Sequence, residues 1–218
     1  MHPHVSIMRS EWFPPHRAAL RMSHLTRTLL AMNKLISLLF LVAAGAAQAH
    51  SSEGVAGGFL HPILGWDHVI AMVAVGLWGA FLGRPAVWML PVVFPLVMAF
   101  GGALGVVGVP LPGVEIGIAA SAIVLGAMVA LAARPPLWVA AVVVGAFAIF
   151  HGHAHGTELP AAASPIAYSL GFVIATGLLH ACGIAISLVT RWQHGARLVR
   201  ACGAAIAALG VMFLVRAL

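Results

Sequence analysis

The sequence predicts an all-α integral membrane protein, a bundle of six transmembrane helices after an N-terminal signal peptide. Hydrophobic residues make up 62% of the 218 residues and charged residues only 7%, and the mean hydropathy is +1.05. Soluble domains carry about 25% charged residues, so this chain lacks the polar surface of a water-soluble protein. Its long apolar segments show no alternation of polar and apolar residues, so the spanning backbone must form helices rather than strands.

The first element is a secretory signal peptide over residues 32–49. It has a lysine near its start, a short apolar stretch, and Ala47-Gln48-Ala49 as a small-x-small cleavage site. Residues 1–31 form an extension before it, which makes Met32 a candidate for the true start. Cleavage after Ala49 leaves His50 as the first residue of the mature chain, where its amine and imidazole could chelate a metal. The membrane domain then covers residues 50–218.

Six apolar segments follow, each close to the roughly 20 helical residues that cross a bilayer: 58–83, 86–109, 114–133, 136–155, 163–190 and 197–217. A cleaved signal peptide places the mature N-terminus outside the membrane, and the six segments make the chain a multi-pass membrane protein. The arginines of the connecting loops then lie on the cytoplasmic side, and Glu53, Glu115 and Glu158 on the other, which satisfies the positive-inside rule. Arg216, at the outer end, is the exception. The net charge of +6 therefore reflects topology, and nucleic-acid binding is not expected.

Glycines within these segments predict close helix packing in the lipid bilayer. Gly101 and Gly105 form a small-xxx-small pair, while Gly65 and Gly76 lie in the first segment. Small residues allow helix backbones to approach each other closely in lipid. Close packing of this kind is also compatible with a homo-oligomer. The two cysteines also fall in apolar segments and are interpreted as small packing residues.

The first segment contains ionisable residues where lipid-facing side chains are expected: His61, Asp67 and His68. In one continuous helix, His61 and His68 are about 700° apart and share a face, with Met72 one turn further as a soft-ligand candidate. A carboxylate at this depth costs about 2.5–3.5 kcal/mol on insertion scales, so it needs a partner or a hydrated cavity. A metal site is the functional interpretation, and an Asp–His hydrogen bond that fixes helix packing is the structural alternative.

The fourth segment ends in three histidines, His151, His153 and His155, followed by Glu158. Positions 151 and 155 share a helix face one turn apart, the arrangement with which two imidazoles hold one metal. Two flanking glycines are expected to loosen the backbone so that His153 converges with them, and Glu158 adds an oxygen ligand. A solvated, pH-sensitive patch is the alternative. Deeper in the fifth segment, His180 is interpreted as either a further ligand or a packing residue.

Together these groups form a series of candidate ligands from the outer surface inward. Conduction needs several weak sites, each able to release the ion again. Imidazole and carboxylate ligands suit Ni, Co, Zn or Cu better than Mg or Ca, and no permanently bound cofactor is expected. Three rivals remain: a cytochrome with haem on His68, His151 or His180, a metalloenzyme, and a metal-binding accessory protein that does not conduct. The metalloenzyme is disfavoured because no H-E-x-x-H or G-x-S-x-G string occurs.

Two motifs resemble those of the HupE/UreJ family of small membrane proteins. Residues 61–76 read H-P-x-x-G-x-D-H-x-x-A-M-x-x-V-G, and residues 150–158 read F-H-G-H-A-H-G-x-E. The resemblance covers residues 32–218. It implies a non-enzymatic permease for Ni(II), or for Co(II), in the bacterial inner membrane with a periplasmic mature N-terminus, which serves hydrogenase or urease maturation proteins. It also implies His61, Asp67 and His68 as the leading ligand set, whereas ligand chemistry alone leaves Ni, Co, Zn and Cu open.

Overall fold

The computed structural model describes residues 54–159 and 164–218, and within these ranges it contains seven α-helices and no strand. The all-α prediction is therefore confirmed for this part of the chain. His50, Glu53, the signal peptide and the extension lie outside the described residues. The helices are α1 Val55–Leu64, α2 Trp66–Leu82, α3 Ala86–Val106, α4 Val114–Ala130, α5 Leu137–Thr157, α6 Pro165–Ser187 and α7 Gly195–Ala217, with a 3-10 turn at Leu188–Arg191.

Four of these helices, α3, α5, α6 and α7, are long and apolar enough to cross a membrane. The pair α1 and α2 makes a fifth candidate when it is counted as one bent span. Helix α4 is apolar but only 17 residues long. The described residues thus hold four or five candidate spans by length and composition, whereas the apolar segments of the sequence predicted six.

Helix α4 is shorter than its apolar segment because the backbone turns before the apolar residues end. Ala132 has a positive φ of 55°, and its N–H donates to the Val129 carbonyl. The N–H of Ala133 reaches back to the Met128 carbonyl at 2.9 Å. This pair of bonds is a Schellman motif, which satisfies the last carbonyls of a helix and stops it.

The first predicted span is not one straight helix. It breaks at Gly65, where α1 and α2 meet at 85°. Gly65 has extended dihedral angles (φ −84°, ψ 101°) and serves both as the C-cap of α1 and as the N-cap of α2. A Cβ at this position would lie 3.1 Å from the His68 ring and 3.2 Å from the Asp67 carboxylate. Gly65 therefore forms the break next to these polar groups, and not the helix–helix contact that was expected of it.

The bundle is built from helix pairs in close contact, with α3 on α5, α4 on α7, and both α1 and α2 on α6. Glycines lie at the crossings. A Cβ on Gly76 of α2 would overlap the His180 carbonyl of α6, and one on Gly101 or Gly105 of α3 would overlap carbonyls of α5. Met72, the soft-ligand candidate, is fully buried in the hydrophobic core. The crossings bring α2, α5 and α6, which carry most of the candidate ligands, into one bundle.

Substitution of Gly76 tests this packing. We expect Gly76→Ala to lower the free energy of unfolding by about 1–3 kcal/mol, since an overpacked contact must be relieved by moving α2 from α6. The control is Gly177→Ala on α6, where a Cβ meets nothing within 4 Å and the change should stabilise the helix by up to about 1 kcal/mol. Thermal unfolding in detergent measures both. Equal stability of the two variants would contradict the close crossing.

Large apolar side chains cover the outside of the bundle. Trp66, Trp88, Trp138, Leu64 and Ile166 are all at least 65% exposed. Monomeric soluble proteins rarely expose such continuous apolar surface. The exposed surface is therefore that of a protein that spans a membrane several times.

Candidate metal site

Four imidazoles from three helices meet inside the bundle. His151 and His155 lie one turn apart on α5, His61 comes from α1 and His68 from α2. The ring centroids are 4.9 Å apart for His68 and His151, 4.5 Å for His68 and His155, and 4.8 Å for His61 and His155. We call these four residues the histidine cluster. His68, His151 and His155 are buried, and His61 is partly exposed.

The break at Gly65 is what brings His61 and His68 together. In a straight helix, seven residues would separate the two along the axis by about 10 Å. In the bent pair, their ring centroids are only 6.5 Å apart and the rings are nearly perpendicular. The two histidines do lie close together, as predicted, but they approach each other across the bend at Gly65 and not along one helix face.

At the more exposed end of the cluster, the Glu158 carboxylate contacts His61 and lies near His155. Glu158 is the C-cap residue of α5, and its Oε2 lies 3.1 Å from His61 Nε2. One ligand atom each from His61, His155 and Glu158 lie within 4.8 Å of one another. The side chains of His61 and Glu158 are one third and one half exposed. We call these three residues the outer group; they can hold a cation that arrives from the surface.

At the other end of the cluster, Asp67 fixes the orientation of His68. Asp67 Oδ1 lies 2.9 Å from both the backbone N–H and the ring Nδ1 of His68. A carboxylate only accepts hydrogen bonds, so Nδ1 carries the ring proton and Nε2 keeps a free lone pair. Asp67 also lies in the first turn of α2, where the helix dipole favours a negative charge. The Asp–His hydrogen bond that was the structural alternative is thus present, and it leaves His68 ready to bind a cation.

Several nitrogens of the cluster are buried without a hydrogen-bond partner among the described residues. They are His68 Nε2, His151 Nδ1 and both ring nitrogens of His155. Most buried polar side-chain atoms in proteins are paired, and an unpaired one costs about 1–3 kcal/mol. Their concentration in one cluster is the pattern expected of a donor set for a ligand, and imidazole nitrogen is a common ligand of transition metals.

His153 does not join the cluster, which corrects the expectation that three histidines converge. Helix α5 continues without a break to Thr157, so His153 lies about 200° around the helix from His151. Its Nε2 is 2.7 Å from the Val109 carbonyl. The flanking glycines do not loosen the helix, because a Cβ on Gly152 would overlap the Met98 carbonyl of α3. They serve the packing of α5.

His180 lies close to the cluster but is separated from it by an aromatic ring. The Phe94 ring is 5.5 Å from that of His151 and 5.3 Å from that of His180. His180 is 1% exposed, and its ring nitrogens have no partner in the described part of the chain. The backbone carbonyl of His180 faces Gly76, two helical turns further along α2 than His68.

Three residues at the site were not singled out from the sequence. Ser121 of α4 contacts the His151 ring, Phe94 separates it from His180, and Phe172 lies 4.1 Å from the His155 ring. A lone serine or phenylalanine in an apolar segment carries no sequence signal of a site. Their contacts emerge only once the helices are packed.

A cavity of about 210 Å³ adjoins the cluster at Asp67. Its other charged residues are Glu115, in the first turn of α4, and Arg216, near the end of α7. The topology predicted from the sequence placed both Glu115 and Arg216 on the outer side of the membrane. Asp67 thus lies between this charged cavity and the buried imidazoles.

Comparison with known proteins gives two matches. The family model described as HupE / UreJ protein matches residues 36–213. The protein named Protein HupE of Rhizobium leguminosarum bv. viciae is 43% identical over 182 residues, which cover 82% of this chain and 95% of that relative. No solved structure matches this chain.

Proposed function

The chain belongs to the HupE/UreJ family, and from this premise we propose that it is a secondary permease that imports Ni(II) from the periplasm to the cytoplasm. The histidine cluster is the single observation that carries the proposal. It gathers four imidazoles next to two carboxylates among apolar helices, and ionisable side chains in apolar spans are rare and mark ion pathways. The imported ion serves hydrogenase or urease maturation proteins, and the chain itself performs no enzymatic reaction.

The ligand chemistry supports a divalent transition metal as the transported ion. Imidazole with one or two carboxylates suits Ni(II), Co(II), Zn(II) or Cu(II) better than Mg or Ca, and the choice of Ni(II), with Co(II) next, comes from the family resemblance. No side chain of the cluster offers sulfur. The ion is cargo and not a resident cofactor, so the site must bind it loosely enough to release it.

The ion passes through the cluster in two steps. The outer group of His61, His155 and Glu158 receives it, because two of these side chains are partly exposed. His155 also adjoins His68, and His68 adjoins His151. Ligands can therefore be exchanged one at a time. His180 is the next ligand inward, and Phe94 stands between it and the cluster.

The topology of this permease is six spans with a periplasmic mature N-terminus. The bent pair α1–α2 counts as one broken span, and α4, about 25 Å long at 1.5 Å per residue, is a short sixth one. Secondary transporters commonly build their ion sites from discontinuous helices near the membrane interior. The break at Gly65 has that character, since it lies between the two motif histidines.

The charged cavity at Asp67 leads to a prediction about the approach of the ion. We expect Glu115→Gln to raise the apparent KM for Ni(II) severalfold and Arg216→Gln to lower it, because local charge sets the local concentration of a cation. Initial uptake rates at low and high ionic strength measure this, and salt should reduce both effects. Changes of the same sign in the two variants would show that the cavity plays no electrostatic part.

The main competing function is a metal-binding accessory protein of hydrogenase or urease assembly that does not conduct. Purified protein in liposomes that enclose a nickel-sensitive dye separates the two functions. A permease accumulates Ni(II) inside, and Co(II), Zn(II) and Cu(II) in competition rank its preference. Binding of Ni(II) without accumulation would favour the accessory function.

A further inference from the structure

A buried serine contacts the histidine cluster from a helix that carries no other part of it. Ser121 lies on α4 and is fully buried. Its Oγ is 2.6 Å from the Ile118 carbonyl oxygen and 2.9 Å from His151 Nε2. Both partners are within hydrogen-bond distance, so the single hydroxyl proton must be assigned to one of them.

The hydroxyl can donate only one hydrogen bond. The Ile118 carbonyl can only accept, so the hydroxyl donates to it, as serines in helices commonly do toward the preceding turn. The contact with His151 is then a hydrogen bond only if the ring Nε2–H donates to Ser121 Oγ. His151 is therefore held in the tautomer that leaves Nδ1 with a free lone pair, and Nδ1 is the buried ring atom that has no partner within residues 54–159 and 164–218.

We propose that Ser121 is a positioning residue of the metal site, which holds His151 so that Nδ1 faces the transported cation. The inference rests on the proposed function, because it assigns a ligand atom to the same site. His151 is then comparable to His68, but the free nitrogen differs. Asp67 holds Nδ1 of His68 and leaves Nε2 free, whereas Ser121 holds Nε2 of His151 and leaves Nδ1 free. Metal-binding histidines typically donate their other N–H to such an outer partner.

Asp67 is charged and Ser121 is neutral, and this difference makes His68 and His151 unequal in strength as metal ligands. A carboxylate partner raises the basicity of an imidazole ligand, whereas the neutral Ser121 hydroxyl does so much less. His68 is therefore the stronger donor and His151 the weaker one. A weaker second ligand favours release of the ion, which conduction requires.

The chain offers a matched control for Ser121. Ser187 of α6 is also buried, and its Oγ donates to the Ile184 carbonyl at the same distance of 2.6 Å. It has no imidazole partner among the described residues. Ser187→Ala thus removes the same helical hydrogen bond without touching the cluster.

The experiment measures Ni(II) affinity by titration calorimetry on the purified protein, for Ser121→Ala, His151→Ala, the double variant and Ser187→Ala. We expect Ser121→Ala to weaken binding about 10–100-fold, the usual effect of removing an outer partner of a metal ligand. Ser187→Ala should change it by less than about twofold. In the His151→Ala background, Ser121→Ala should have no further effect, since coupled residues are not additive.

Each departure from this pattern has a distinct meaning. If His151→Ala weakens binding but Ser121→Ala does not, the serine is not a positioning residue and the proposed function stands. If Ser121→Ala weakens binding equally in both backgrounds, it acts on the fold and the inference fails. If the unmodified protein binds no Ni(II), the proposed function itself fails.

Discussion

Replacement of His155 by alanine is expected to reduce nickel uptake to background. His155 belongs to the outer group and also adjoins His68, so its loss removes a ligand from the first step and the link to the second. Both of its ring nitrogens are buried and unpaired within the described residues, so they are not engaged in holding the fold. Initial Ni(II) uptake into proteoliposomes measures the effect.

The control for this variant is His153→Gln. His153 lies on the same helix two residues away, but its ring contacts the Val109 carbonyl outside the cluster, and glutamine keeps an N–H donor for that carbonyl. Uptake should stay close to that of the unmodified protein. If both variants lose uptake equally, the loss follows from changing α5 and not from removing a residue of the cluster. If His155→Ala transports normally, His155 is not a ligand.

Asp67→Asn is expected to lower the rate of nickel uptake at least about tenfold, in line with the loss of an outer partner of a metal-binding histidine. The amide has nearly the same shape but no charge. It therefore no longer fixes the His68 tautomer, nor compensates the charge of a divalent cation next to the cluster. Initial uptake rates over a range of Ni(II) concentrations measure the loss.

Glu115→Gln is the matched comparison for Asp67→Asn. Both carboxylates lie in the first turn of a helix and line the same cavity, but only Asp67 hydrogen-bonds an imidazole of the cluster. Glu115→Gln should change only the apparent KM for Ni(II), whereas Asp67→Asn should also lower the maximal rate of uptake. If the two substitutions change uptake equally, Asp67 acts only as a charge that attracts cations and does not position His68.

The sequence was sufficient to identify the class of the fold and all four residues of the histidine cluster as candidate ligands. Helices and membrane-spanning segments follow from composition, because an apolar backbone in lipid must satisfy its own hydrogen bonds. The histidines and Asp67 stand out because ionisable side chains are costly in apolar segments. His151 and His155 both adjoin His68 from one face of α5, as their spacing predicts.

The rest depends on tertiary geometry. The break at Gly65 could not be predicted, because a glycine in an apolar segment is usually a packing residue. The end of α4 could not be predicted either, because Ala132 adopts a positive φ that alanine rarely takes. Ser121 acquires its contact with His151 only through the packing of α4 on α5. His153 was misassigned because the helix was assumed to loosen where it is tightly packed.

The central claim is that a transition-metal cation binds to the histidine cluster. X-ray absorption at the nickel K-edge on the purified protein, loaded with Ni(II), tests it most directly. We predict a first shell of nitrogen and oxygen with the scattering pattern of several imidazole rings, weakened in His155→Ala and kept in His153→Gln. Sulfur ligands, or identical spectra for the two variants, would contradict the claim.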